Sequence, residues 1–119
     1  MKITLIDMVA KKAIPPYQIP SLPVVSVGRH TSNEVVIPNR DYRNSLSGED
    51  KVAFDAIAGT ISTNHCIIYQ ENGRPCIEDN NSKNGTSLRG VGLTDGRSGH
   101  IQNGDILYLG SYRLEVRIE

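Results

Sequence analysis

Tryptophan is absent from this 119-residue chain, phenylalanine occurs once and tyrosine five times. So few rings give little platform for stacked bases, and equal numbers of Lys plus Arg and of Asp plus Glu, 13 each, leave no general pull toward phosphate backbones or anionic lipid. Nucleic acid and membranes are therefore not the expected partners, and any anion the chain binds must be held by local geometry. Cysteine is scarce too. Cys66 and Cys76 are too few for a disulfide framework and read as small buried hydrophobes on neighbouring strands. The three histidines, His30, His65 and His100, lack metal-ligand spacing, and no nucleophile motif is present, so no metal, no cofactor and no enzymatic role is expected. No apolar run approaches the length of a membrane span. The opening Met1-Lys2-Ile3-Thr4-Leu5-Ile6-Asp7 meets a charge too early for a signal peptide, which makes a cytoplasmic location the default expectation.

What the chain does have is a succession of short runs rich in Val, Ile, Leu and Tyr, separated by Gly, Asn, Asp and Pro. That pattern predicts an all-β sandwich or barrel. Strands are expected at Ile3–Val9, Pro23–Val27, Glu34–Ile37, Cys66–Gln70, Pro75–Glu78, Thr86–Leu88, Asp105–Leu109 and Tyr112–Ile118. In the last, Leu114, Val116 and Ile118 alternate with Arg113, Glu115 and Arg117, the mark of a strand buried on one face. Asn72-Gly73, Asn84-Gly85, Asn103-Gly104 and Gly110-Ser111 supply tight connections, so the C-terminal third reads as successive antiparallel pairings.

At this length one domain, residues 1–119, is the expectation. Residues 10–22, with Pro15, Pro16 and Pro20, are expected to form an extended surface connection. An insertion at about 38–60 carries a single short helix at about 47–58. Ser47 can cap it, Glu49 and Asp50 suit its first turn, Phe54, Ile57 and Ala58 share a face, and Gly59 ends it. The insertion could tune partner choice, or it could be an excursion that lays Phe54 against a sheet edge.

Three segments distant in sequence suit a single task. Gly28-Arg29 follows a strand, so Gly28 allows a sharp turn and Arg29 offers a planar fork of donors that matches phosphate oxygens. Ser62-Thr63-Asn64-His65 precedes another strand and adds hydroxyl donors. Asn81-Ser82-Lys83-Asn84-Gly85-Thr86 adds a cation, two hydroxyls and amides able to bond to backbone.

The order of these segments, with the acidic strand end Glu78-Asp79 between the second and third, and with Asn103-Gly104-Asp105 and Leu109-Gly110 near the terminus, resembles the forkhead-associated (FHA) domain over roughly residues 23–118. The resemblance implies a β-sandwich of about 10–11 strands whose loops at one end grip a phosphothreonine-containing protein or peptide. It implies that Arg29 pairs with the phosphate, that Ser62 donates its hydroxyl, that Thr63 adds a contact, that Asn84 bonds to the peptide backbone, and that Lys83 lines the pocket. Gly28, His65, Ser82, Gly85 and Thr86 would hold the loops in register. Many family members carry Arg or Lys after the Ser of the second motif, where this chain has Thr63. Two rivals differ in kind. One is a degenerate FHA-like scaffold that docks or oligomerises without phosphate, since fold alone does not fix function. The other is an enzyme using His65 with Ser62 or Cys66, which would need base, nucleophile and oxyanion donors to converge in one cleft.

Overall fold

The structure, a computed structural model, describes residues 2–9, 17–94 and 96–119. In chain order the strands are β1 (Ile3–Asp7), β2 (Tyr17–Ile19), β3 (Val24–Gly28) and β4 (Val35–Val36). Two helices follow, α1 (Arg40–Asn44) and α2 (Gly48–Ala58). The remaining strands are β5 (Cys66–Glu71), β6 (Arg74–Asp79), β7 (Thr86–Leu88), β8 (Val91–Gly92), β9 (Ser98–His100), β10 (Ile106–Leu109) and β11 (Tyr112–Ile118). One sheet has the order β2-β1-β11-β10-β7-β8 and the other β4-β3-β5-β6-β9. All pairings are antiparallel except β3 with β4. Leu5, Leu107, Leu114 and Val116 of the first sheet and Val25, Val27, Ile68 and Ile77 of the second belong to one buried cluster, which makes the fold a β-sandwich. Among the described residues no helix is long and apolar enough to cross a membrane.

The eight expected strands are present with ends shifted by up to two residues, and the alternation along β11 holds, Leu114 and Val116 being buried while Arg113 and Arg117 are exposed. Asn72 and Gly73 both take positive φ, 52° and 75°, and join β5 to β6 as a tight hairpin. Three short edge strands were not expected from sequence. β2 lies within the segment expected to be an extended surface connection; Pro20 ends it after three residues, and residues 10–16 of that connection lie outside the described residues. β8 and β9 lie in glycine-containing sequence with weak strand propensity and are held by their neighbours.

The insertion contains two helices rather than one. Asn39 caps α1 by accepting the Tyr42 N–H at 2.8 Å, and Ser47 caps α2 by accepting from Asp50 at 3.3 Å. Phe54 does not lie against a sheet edge. It enters the main core, its ring 5.5 Å from that of Tyr112 and nearly perpendicular to it, and 6.1 Å from that of Tyr42.

Candidate functional site

Antiparallel pairing alone brings the three polar segments together. Val27 at the end of β3 pairs with Cys66 at the start of β5, and Cys66 pairs with Asp79 at the end of β6. Leu109 at the end of β10 pairs with Thr86 at the start of β7. The loop after β3, the loop before β5 and the loop between β6 and β7 therefore share one rim of the sandwich. An open cleft of about 460 Å³ lies there, lined by Arg29, Ser62, Thr63, Asn64, Asn80, Asn81 and Lys83. Two cations line it, and among the described residues no carboxylate does.

Arg29 is exposed, and its guanidinium makes no hydrogen bond or ion pair among the described residues. Its backbone is tightly placed. The Arg29 N–H donates to the Ser62 carbonyl at 3.0 Å, and the His30 N–H donates to the Thr63 carbonyl at 3.2 Å. Ser62 Oγ accepts the Lys83 backbone N–H at 2.8 Å. That engages a lone pair and leaves the hydroxyl proton free to donate to a ligand. Thr63 and Lys83 are exposed.

Asn84 stands apart from this cleft. Its Nδ2 donates to the Thr60 carbonyl at 2.9 Å, and it borders a neighbouring cleft of about 250 Å³ together with Gly85, Thr86, Ser87, Gly92, Thr94 and Gly110. With Nδ2 anchored, its amide oxygen remains an acceptor for a backbone N–H lying along the rim.

The supporting residues hold the loops through backbone. His65 is fully buried; its Nδ1 accepts the Ser62 N–H at 3.0 Å, which puts the ring proton on Nε2 for donation to the Gly85 carbonyl at 2.8 Å. Burial holds its pKa below the ordinary imidazole value. Both ring nitrogens are committed to backbone, so the imidazole has none left with which to deprotonate Ser62 or Cys66. Ser82 accepts the Gly85 N–H at 2.9 Å and donates its hydroxyl to Asp79, and Thr86 donates to the same carboxylate at 2.6 Å.

Gly28 works differently from the expected turn. It lies in β3 without a left-handed φ, and a Cβ there would sit 2.3 Å from the Thr63 carbonyl oxygen and 2.9 Å from Asn33 Nδ2. Glycine is required because two rim loops close over it. Asn33 and Asp79 were given no role from sequence. Buried Asn33 donates at 2.8 Å to both the His30 and the Thr63 carbonyl, stapling the two loops, and no local pattern marks it. Asp79 accepts from the Ser82 N–H at 3.1 Å as well as from the two hydroxyls. Its signal was legible, a carboxylate at a strand end followed by hydroxyls three and seven residues on.

The family model of the FHA domain matches residues 25–110, well over half the chain. The chain belongs to the FHA-domain family. No curated protein sequence gives a significant match. Among solved structures, this FHA domain resembles one described in a structural and functional analysis of phosphothreonine-dependent FHA-domain interactions, at 18% identity and TM-score 0.70, covering 100% of this chain and 98% of that one. It resembles the FHA domain of an Arabidopsis thaliana hypothetical protein at 25% identity and TM-score 0.67, covering 98% and 85%. A third is the MEK1 FHA domain in complex with a HOP1 phosphothreonine peptide, at 23% identity and TM-score 0.60, covering 98% and 96%.

Proposed function

We propose that this chain is a single FHA domain that recognises phosphothreonine in a partner protein, serving as an interaction module in signalling or regulated assembly rather than as an enzyme. What supports the reading above all is the guanidinium of Arg29, unpaired among the described residues, beside Lys83 in a cleft that no described carboxylate lines. Two solvent-exposed cations flank a free hydroxyl and several amides, a set of donors that matches a dianion with three acceptor oxygens.

In this reading Arg29 forks two phosphate oxygens, Ser62 donates its hydroxyl to the third, Lys83 adds charge, and Thr63 closes the wall where a second cation stands in many relatives. Asn84 accepts from the peptide backbone as it leaves toward the neighbouring cleft. Each charge-assisted bond contributes about 1.5–3 kcal/mol, so three or four give micromolar-class affinity once association costs are subtracted. A preference for threonine over serine of about 1 kcal/mol would follow from burying one methyl.

Calorimetry with a degenerate phosphothreonine peptide pool tests this. Heat should appear with the phosphorylated pool and vanish after phosphatase treatment. Affinity should fall at least about 100-fold for Arg29→Ala with the melting temperature unchanged, and about tenfold for Ser62→Ala with the domain still folded but slightly less stable, since Ser62 Oγ also accepts the Lys83 N–H. Equal binding of the dephosphorylated pool would favour a docking scaffold that does not read phosphate.

A further inference from the structure

We infer that the rim holds a second anion subsite, built by His30 with Arg29 and Thr63, that takes an acidic group carried close to the phosphothreonine. This rests on the phosphothreonine reading and deepens it. A separate depression of about 200 Å³ is lined by Arg29, His30 and Thr63, and it shares Arg29 and Thr63 with the larger cleft. Arg29 thus stands between two hollows. A guanidinium has five donors, a planar bidentate contact with a phosphate engages two of them, and the remaining ones are available to a second acceptor.

His30 is prepared for the same kind of ligand. Its Nδ1 accepts the Ser32 backbone N–H at 3.0 Å and lies 2.7 Å from Ser32 Oγ, so the ring is oriented by its own turn and the neutral imidazole carries its proton on Nε2. That Nε2–H makes no hydrogen bond among the described residues, and the ring is exposed. The backbone of His30 is fixed as well, through its N–H to Thr63 and its carbonyl to Asn33. A fixed donor, a shared guanidinium and a threonine, with no described carboxylate lining the hollow, select anionic oxygens. Those oxygens can come from an Asp or Glu side chain or from a second phosphorylated residue.

Peptide pools with a fixed phosphothreonine distinguish these sources when each flanking position in turn is set to Ala, Asp or phosphoserine and affinity is read by fluorescence anisotropy. At one flanking position or more, the wild-type domain should prefer Asp or phosphoserine over Ala by about tenfold, the size of one charge-assisted hydrogen bond. Phosphoserine well above Asp identifies a second phosphate, Asp well above phosphoserine identifies a carboxylate, and equal preference means that the subsite takes any anionic group. In His30→Phe, which keeps a ring but no donor, the preference should shrink to about twofold while affinity for the Ala pools holds, and His30→Gln, which restores an N–H, should recover part of it. Absence of any acidic preference, or a preference that survives His30→Phe, overturns the second subsite alone. Failure of every phosphothreonine pool to bind overturns the parent reading, and this one with it.

Discussion

The rim around Arg29 and the flank that carries α1 and α2 sit on the same sandwich and are held by different forces. At the rim, side chains bond to backbone: His65 to Ser62 and Gly85, Asn33 to His30 and Thr63, Ser82 to Gly85, Asn84 to Thr60. On the flank, rings meet rings. Phe54 sits among Tyr42 and Tyr112, Tyr17 adds a further edge, and the Tyr17 and Tyr112 hydroxyls meet at 3.1 Å. The exposed Arg43–Asp55 pair at 2.6 Å lies outside this cluster and adds little, as solvated ion pairs do. Apolar burial is strong and tolerant of direction; hydrogen bonds are weaker and fix position. The flank therefore stabilises the domain, and the rim uses that stability to keep loops in register while their outward donors stay free.

Phe54→Ala should break the first half of that comparison without touching the second. Removing a buried ring from a packed cluster costs about 3–5 kcal/mol, a large share of a small domain's stability. Urea unfolding should show that loss, while phosphopeptide affinity measured well below the midpoint stays within about twofold of wild type. A matching drop in affinity would mean that flank and rim are one unit.

Gly28→Ala attacks the other half. Its added methyl must push against the Thr63 carbonyl, a backbone atom that Asn33 and His30 also hold, so the loops have to part. A stability loss of about 1–3 kcal/mol is expected from the overpacking. The affinity loss should be out of proportion to it, about tenfold or more, because Arg29 and Ser62 separate. A variant destabilised to the same degree that binds normally would show that the close approach serves folding alone.

The different forces also explain what the sequence made legible. Alternation and turn chemistry are local, so β11, the Asn72-Gly73 hairpin and the Ser47 cap could be read from a few residues each. Arg29, Ser62 and Lys83 were expected together because the order of their segments resembles the FHA domain, and the antiparallel pairing does bring them to one cleft. Asn33 could not be read: its role is to bridge the carbonyl of His30 in its own turn and that of Thr63, 30 residues further along the chain than Asn33 itself, and nothing about a Thr-Ser-Asn turn announces that. The destination of Phe54 was hidden for a related reason. An amphipathic helix tells that one face is buried but not against what, and only the fold puts Tyr112 opposite. β2, β8 and β9 were missed because short edge strands take their conformation from the strand they join.

The smallest expected effect separates stability from binding by pH. His65 has its pKa lowered in the folded state, first by burial, with the Gly85 carbonyl and Asp79 pulling the other way. The unfolded chain therefore takes up a proton near pH 6.5, the ordinary imidazole value, where the folded domain still resists it. Below that point the unfolded state binds more protons, so stability present above pH 6.5 declines as the pH falls from 6.5 toward the lower folded value. Thermal melts of the free domain in buffers of decreasing pH should show this decline, and His65→Gln, less stable at neutral pH, should show a shallower one. The proposed phosphopeptide binding should lose strength over a similar range because the ligand's second pKa is about 6. The two are told apart with a phosphonate peptide of shifted pKa: its binding curve should move while the melting profile of the free domain stays where His65 sets it. A melting profile unaltered by His65→Gln would mean that the buried imidazole does not govern the acid stability of the rim.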